Sequence, residues 1–151
     1  QSLEINITCF SIELAFSLTD LIKADILREL SIVFTQQIDY LRVRQSPFEN
    51  IELLNLKKLK CVKTPKEWTD DIIRGLAIEG LRVFHLESVF LTKNQNQAIS
   101  KHLNRHNQLK SLTLNDCKVD IALQIPESLQ HLDLGYNNIN NNIFELLVEN
   151  L

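Results

Sequence analysis

The sequence predicts an α/β fold in which short parallel strands of one sheet alternate with helical return segments, coil upon coil. Three observations predict it. An eleven-residue pattern at residues 109–119 recurs at residues 129–139, with apolar residues at positions 1, 4, 6 and 11 and Cys117 or Asn137 at position 9. Between and after such patterns lie helical stripes: Ala98, Ile99 and Leu103, then Ile143, Leu146, Leu147 and Leu151. The residue between the two strand positions is polar in every copy, as alternation in a strand with one buried face requires.

Weaker copies of the template lie upstream. Leu81, Phe84, Leu86 and Leu91 fill positions 1, 4, 6 and 11, with Val89 at position 9. Ile51, Leu54, Leu56 and Cys61 fit as well, with Leu59 at position 9. Leu27, Leu30 and Ile32 fit the strand part, with Thr35 at position 9, but the copy fails at Gln37. A frame on Ile38, Leu41 and Val43 competes with it, but would leave only thirteen residues before the next copy. The first copy, with Ile5, Ile7, Phe10 and Ile12, is degenerate, as terminal repeats are. Starts near 2, 27, 51, 81, 109 and 129 give periods of 25, 24, 30, 28 and 20, about six repeats in one domain spanning residues 1–151.

The repeated L-x-x-L-x-L-x-x-(N/C)-x-(L/I/V) resembles the leucine-rich repeat. The resemblance implies a right-handed solenoid with a parallel β-sheet on the concave face and helices on the convex face. Periods near 28 with helical returns resemble the ribonuclease-inhibitor-like subtype. The 20-residue unit departs from it: Pro126 disfavours helix at the residue before it, so the return at 120–128 is expected to be extended.

The returns carry their own punctuation. Thr69 followed by Asp70 and Asp71 is expected to open a helix that Gly80 ends, Ile72 and Leu76 lie a turn apart, and Gly75 weakens the segment. Asn94 or Asn96 is expected to cap a second helix, the stripe ending at Leu151 forms a third, and Leu21, Ile22 and Ile26 suggest one after Thr19.

If positions 4 and 6 enter the core, positions 3, 5 and 7 face outward. Position 9 is expected to turn the chain, with its side chain available to satisfy buried backbone groups. Position 5 reads Asn6, Ser31, Asn55, His85, Thr113 and Asp133. Position 3 reads Glu4, Glu29, Leu53, Val83, Ser111 and His131, and position 7 reads Thr8, Val33, Lys57, Glu87, Asn115 and Gly135. From these the expected partner-binding residues are Asn55, Lys57, His85, Glu87, Ser111, Thr113, Asn115, His131 and Asp133. The expected function is protein–protein recognition within a larger receptor, adaptor or scaffold, as the resemblance implies.

The alternative is nucleic-acid or anionic-ligand binding through Lys57, Lys58, Lys60, Lys63 and Lys66. A formal charge of −3 and the lack of interleaved aromatics weigh against nucleic acid. His102 and His106 have metal-compatible spacing but no carboxylate or thiol partner is evident, so no metal is expected. Cys117 reads as a buried structural thiol, and Trp68 as packing over a repeat junction. No nucleotide-binding, zinc-protease or nucleophile-elbow motif occurs, so neither enzyme activity nor a cofactor is expected.

Composition sets outer bounds. A chain 44% apolar is not disordered, and three Gly with three Pro are too few for a sandwich of many tight turns. Three unclustered cysteines favour a reducing intracellular setting, cytoplasmic or nuclear, against which stands only the sequon Asn6-Ile7-Thr8. No run is long enough to span a membrane. The absence of Met and a terminal helix with no polar capping unit lead us to expect a piece of a longer protein, its end covered by further repeats or another chain.

Overall fold

The computed structural model describes residues 1–7, 17, 19–20, 27–35 and 46–149. The expectations placed on Thr8, Phe10, Ile12, Leu21, Ile22, Ile26, Gln37, Ile38, Leu41, Val43 and Leu151 lie outside the described residues, as does Cys9.

Among the described residues, alternating apolar residues form six strands: β1 (Ser2–Ile7), β2 (Glu29–Phe34), β3 (Lys58–Val62), β4 (Val83–Glu87), β5 (Ser111–Asn115) and β6 (His131–Asp133). They make one parallel sheet in chain order, so each inner strand pairs with the strands before and after it in sequence. The returns hold helices α1 (Thr69–Arg74), α2 (Lys93–Leu103) and α3 (Asn141–Glu149). The protein is therefore α/β. No helix among the described residues is long and apolar enough to cross a membrane.

Position 4 aligns Leu30, Leu59, Phe84 and Leu112, and position 6 aligns Ile32, Cys61, Leu86 and Leu114. None of these side chains is more than 1% exposed. Leu56, Leu81 and Leu109 at position 1 are equally buried. This column of stacked apolar residues is the core, and its burial is the main force holding together the successive strand-and-return units, here called coils. Towards the ends the same positions open: Leu3, Ile5, Leu132 and Leu134 are only partly buried.

The third copy differs from expectation. Leu59 and Cys61, not Leu54 and Leu56, pair with Leu30 and Ile32. The copy therefore starts at Leu56, and the spacing from 27 through 129 becomes 29, 25, 28 and 20. Residues 51–61 satisfy positions 1, 4 and 6 of the apolar template in two overlapping frames, Ile51-Leu54-Leu56 and Leu56-Leu59-Cys61. Burial decides between them: Leu56, Leu59 and Cys61 are enclosed, whereas Leu54 is only partly buried and Leu53 is 76% exposed. Ile51–Leu53 forms a 3-10 turn of the preceding return. The first copy is also shifted, by two residues, because Leu3 and Ile5 pair with Leu30 and Ile32.

The turn after each strand repeats its geometry. Position 8 has positive φ four times running, at Lys63 (53°), Ser88 (53°), Asp116 (52°) and Tyr136 (56°). Each of the first three donates its backbone N–H to the position-7 carbonyl of the next coil: Lys63 to Glu87 (2.9 Å), Ser88 to Asn115 (3.0 Å) and Asp116 to Gly135 (2.9 Å). Non-glycine residues enter this region at a cost, and the bonds made there help offset it. This recurrence supports the corrected frame without using the leucines.

The returns close the other side of the core. Trp68, fully buried, meets Phe34 and Phe48 edge-on at centroid distances of 5.6 and 5.7 Å, joining two successive coils as expected of a junction residue. Thr69 does not cap α1; it lies inside the helix, buried, after a 3-10 turn at Lys66–Trp68. The helical segment ends through a second 3-10 turn at Gly75–Ala77, before Gly80 is reached. Gly75 has a packing reason: a Cβ there would sit 2.7 Å from Leu59 Cδ2.

In α2 the cap is Thr92, whose side chain accepts from Gln95 N while Gln95 Oε1 accepts from Thr92 N. Asn94 is exposed, and Asn96 is buried with its amide directed to Lys118 O (3.2 Å) and Asp120 Oδ1 (3.3 Å). Asn140 Oδ1 accepts from Ile143 N at the start of α3 (2.9 Å). The return containing Pro126 has no helix.

Candidate functional site

Alternation along the strands builds the candidate site. With positions 4 and 6 inside, positions 3, 5 and 7 are presented on the opposite face of the sheet. The position-5 row runs Glu4, Ser31, Lys60, His85, Thr113 and Asp133, each paired with the next across the sheet. Beside it, Val83, Ser111 and His131 align at position 3, and Glu87 with Asn115 at position 7.

Seven of the expected residues share this face: His85, Glu87, Ser111, Thr113, Asn115, His131 and Asp133. Two do not. Asn55 and Lys57 precede β3, because that strand starts at Lys58; Lys60 and Val62 take the places assigned to them.

The face is polar and partly preorganised. His85 Nε2 and Glu87 Oε2 lie 3.0 Å apart, an i,i+2 contact possible because both point the same way from β4. Asp133 Oδ1 accepts from Gly135 N at 2.9 Å, which leaves its second oxygen available. Ser111, Thr113 and Asn115 add donors and acceptors and are half-buried, whereas His131 and Asp133 are exposed. Ser31 is nearly covered, its hydroxyl without a bonding partner.

Behind the face, position 9 fixes the turns. Asn137 Oδ1 accepts from Cys117 N and Val119 N, both at 2.9 Å. Its Nδ2 donates to Leu114 O, Leu134 O and Gly135 O. One amide side chain thus saturates backbone groups of two successive coils, as its template position predicts. Cys117 repeats the pattern one coil earlier, with Sγ directed to Leu86 O (3.4 Å) and Asn115 O (3.2 Å). Burial pushes the Cys117 thiol up to about 12 and raises that of Cys61 still further. Neither is suited to nucleophilic chemistry.

The five lysines do not form one patch. Lys57 and Lys58 lie at the start of β3, Lys60 in its middle, and Lys63 and Lys66 beyond its end. Lys63 and Lys66 line a cavity of about 470 Å³ with Thr64, Ser88, Phe90 and Asp116. Asp116 there accepts from Ser88 Oγ at 3.0 Å, and Lys118 Nζ sits 4.3 Å from the centroid of the Phe90 ring.

Of the two histidines His102 and His106, the second has a visible structural role. His106 Nδ1 accepts from Gln108 N (3.3 Å) and Leu109 N (3.1 Å), shaping the turn into β5. Desolvation lowers the pKa of both His102 and His106; for His102, neighbouring Arg105 and Lys101 add to it. Among the described residues, no group of three or more His, Cys, Asp or Glu could hold a metal ion.

Sequence reasoning missed a row at position 2, just before each strand. Arg28, Lys57, Arg82 and Lys110 follow one another there in four successive coils. The signal was legible but depended on the third frame: a copy starting at Ile51 places Glu52 in the row and breaks it.

Comparison with protein-family models, with curated proteins and with solved structures finds no match.

Proposed function

We propose that the chain is a leucine-rich-repeat solenoid, of ribonuclease-inhibitor-like type with one short unit, that recognises a protein partner through the concave face of its sheet. The observation that carries this reading is the position-5 row, polar in all six strands and wholly or partly exposed in five. Parallel sheets are ordinarily covered on both faces. One whose central outer row is Glu, Ser, Lys, His, Thr and Asp, flanked by mixed rows that include Val33, Val62 and Val83, while its inner rows are apolar, is suited to a polar macromolecular surface. The amide of Asn137 supports the repeat assignment, because it occupies the template position whose role is to bond the backbone inside the coil.

The face supplies shape and hydrogen-bond complementarity from several strands at once and acts within a larger receptor, adaptor or scaffold. Its role is binding rather than catalysis. The test is affinity capture with the natural protein, followed by measurement of the captured partner against His85→Ala/Thr113→Ala. These neighbours sit at the centre of the row, and their joint truncation is expected to weaken binding by about tenfold or more. Unchanged affinity would move the interface off this face.

A further inference from the structure

The strand entrances carry a feature the sheet face does not explain. Lys57 N donates to Arg28 O (2.6 Å), Arg82 N to Lys57 O (2.8 Å), Lys110 N to Arg82 O (2.8 Å) and Gln130 N to Lys110 O (2.9 Å). These bonds stack the position-2 residues of successive coils directly beside one another, about 4.8 Å apart, the spacing of paired strands. Four consecutive rungs are Arg28, Lys57, Arg82 and Lys110, although Lys and Arg make up only 16 of 151 residues. All four are exposed.

Like charges directly opposite one another destabilise a sheet. An internal counter-charge would remove that cost, yet no ion pair among the described residues engages Lys57, Arg82 or Lys110. Arginine 74 shows the contrast, since it is matched by Asp71 and by Glu52 at 3.8 Å.

We infer that this row is a docking strip for an acidic, extended segment of a protein partner. The width of the strip selects the class. On the sheet side the next row is not basic as a whole: it reads Glu29, Lys58, Val83 and Ser111, so only Lys58 widens the strip and Glu29 closes it beside Arg28. On the return side Glu52 and Glu79 line the same cavity of about 400 Å³ as Lys57. A narrow chain of carboxylates fits between these acids. A nucleic-acid duplex, with phosphates spread over a groove's width, would press some of them against the glutamates. The row lacks the aromatic side chains on which a single strand stacks, and the chain's net charge of −3 opposes long-range attraction of a polyanion. The inference does not depend on the sheet face being a binding surface.

The probe is a fluorescent peptide of about six glutamates, about 20 Å long when extended, titrated with the full chain and followed by anisotropy. A single-stranded oligothymidine of equal charge is titrated in parallel. The peptide is expected to bind at about 50 mM salt and to weaken steeply towards about 500 mM. Arg82→Glu/Lys110→Glu should lose about tenfold or more. Lys63→Glu/Lys66→Glu, at the other end of the strands, and His85→Ala/Thr113→Ala, on the face, should each stay within about twofold. If the reversal variant lacks the wild-type circular dichroism, Arg82→Gln/Lys110→Gln takes its place. No binding at low salt, equal binding by the row variant, equal loss in the Lys63 and Lys66 variant, or tighter binding of the oligonucleotide would each overturn the inference.

Discussion

Replacing Asn137 with alanine removes one side chain and disturbs two coils. Its Oδ1 is the acceptor for the N–H groups of Cys117 and Val119, residues with no exposed surface, and its Nδ2 serves three carbonyls. A buried donor left without a partner costs about 1–3 kcal/mol. The two N–H groups alone therefore cost about 2–6 kcal/mol. The carbonyls retain other routes to a partner, and Asn137 itself is only partly buried, so water can reach part of the site. These considerations place the loss near the lower half of the range, about 3 kcal/mol. Against a typical stability of about 5–15 kcal/mol this is large. Urea unfolding followed by far-UV circular dichroism should show a lower midpoint with an unchanged slope. Asn137→Leu should be no better, since volume without donors and acceptors does not meet the need. A change below about 0.5 kcal/mol, the range of an ordinary surface substitution, would refute the assignment of Asn137 as the internal bridge.

Other consequences follow from packing and titration. Trp68→Ala should cost about 3–5 kcal/mol, because the indole fills the space between Phe34 and Phe48; far-UV circular dichroism is the suitable readout, as Trp68 is the sole tryptophan. Gly75→Val should cost about 1–3 kcal/mol through overpacking against Leu59 and Ile51, measured as a lowered thermal midpoint. The folded-state pKa of His106 is depressed, so below the unfolded value of about 6.5 the unfolded chain binds more protons. Stability should therefore fall as pH drops from about 6.5 towards the folded value, and His106→Gln should flatten that slope in unfolding measured across this window. In a Cys9→Ser background, Cys61 and Cys117 should react with a thiol reagent only at the rate of unfolding, because both are buried with raised pKa values.

What was legible in the sequence follows from where the template is overdetermined. At β4, β5 and β6, the apolar positions and the polar row between them agree on a single frame. The role of position 9 was legible for the same reason, and Asn137 fills it. At residues 51–61 the spacing of positions 1, 4 and 6 fits twice, and only the frame from Ile51 also fills position 11 with an apolar residue, Cys61 rather than Lys66. The template therefore favours the frame that strand pairing excludes and puts Asn55 and Lys57 on the face. The two-residue slip in β1 has another cause. Leu3, Ile5 and Ile7 alternate evenly, and a shift by two leaves every inward residue inward. Caps were misread because Thr92, Asn94 and Asn96 are all acceptable cap residues in one short stretch; the capping box with Gln95 chose Thr92. The basic row lay outside the template positions, and the misplaced third frame hid its continuity.

The place of Lys60 on the face and the continuity of the basic row both depend on β3 starting at Lys58, so an engineered disulfide tests the account most directly. Lys60 and His85 are paired neighbours on β3 and β4, with Cα atoms about 5 Å apart, inside the range a disulfide spans. Lys60→Cys/His85→Cys should close a bond under mild oxidation and leave the circular dichroism unchanged, whereas Asn55→Cys/His85→Cys should remain reduced. Closure of the Asn55 pair and not the Lys60 pair would restore the frame starting at Ile51, break the basic row, and contradict the account.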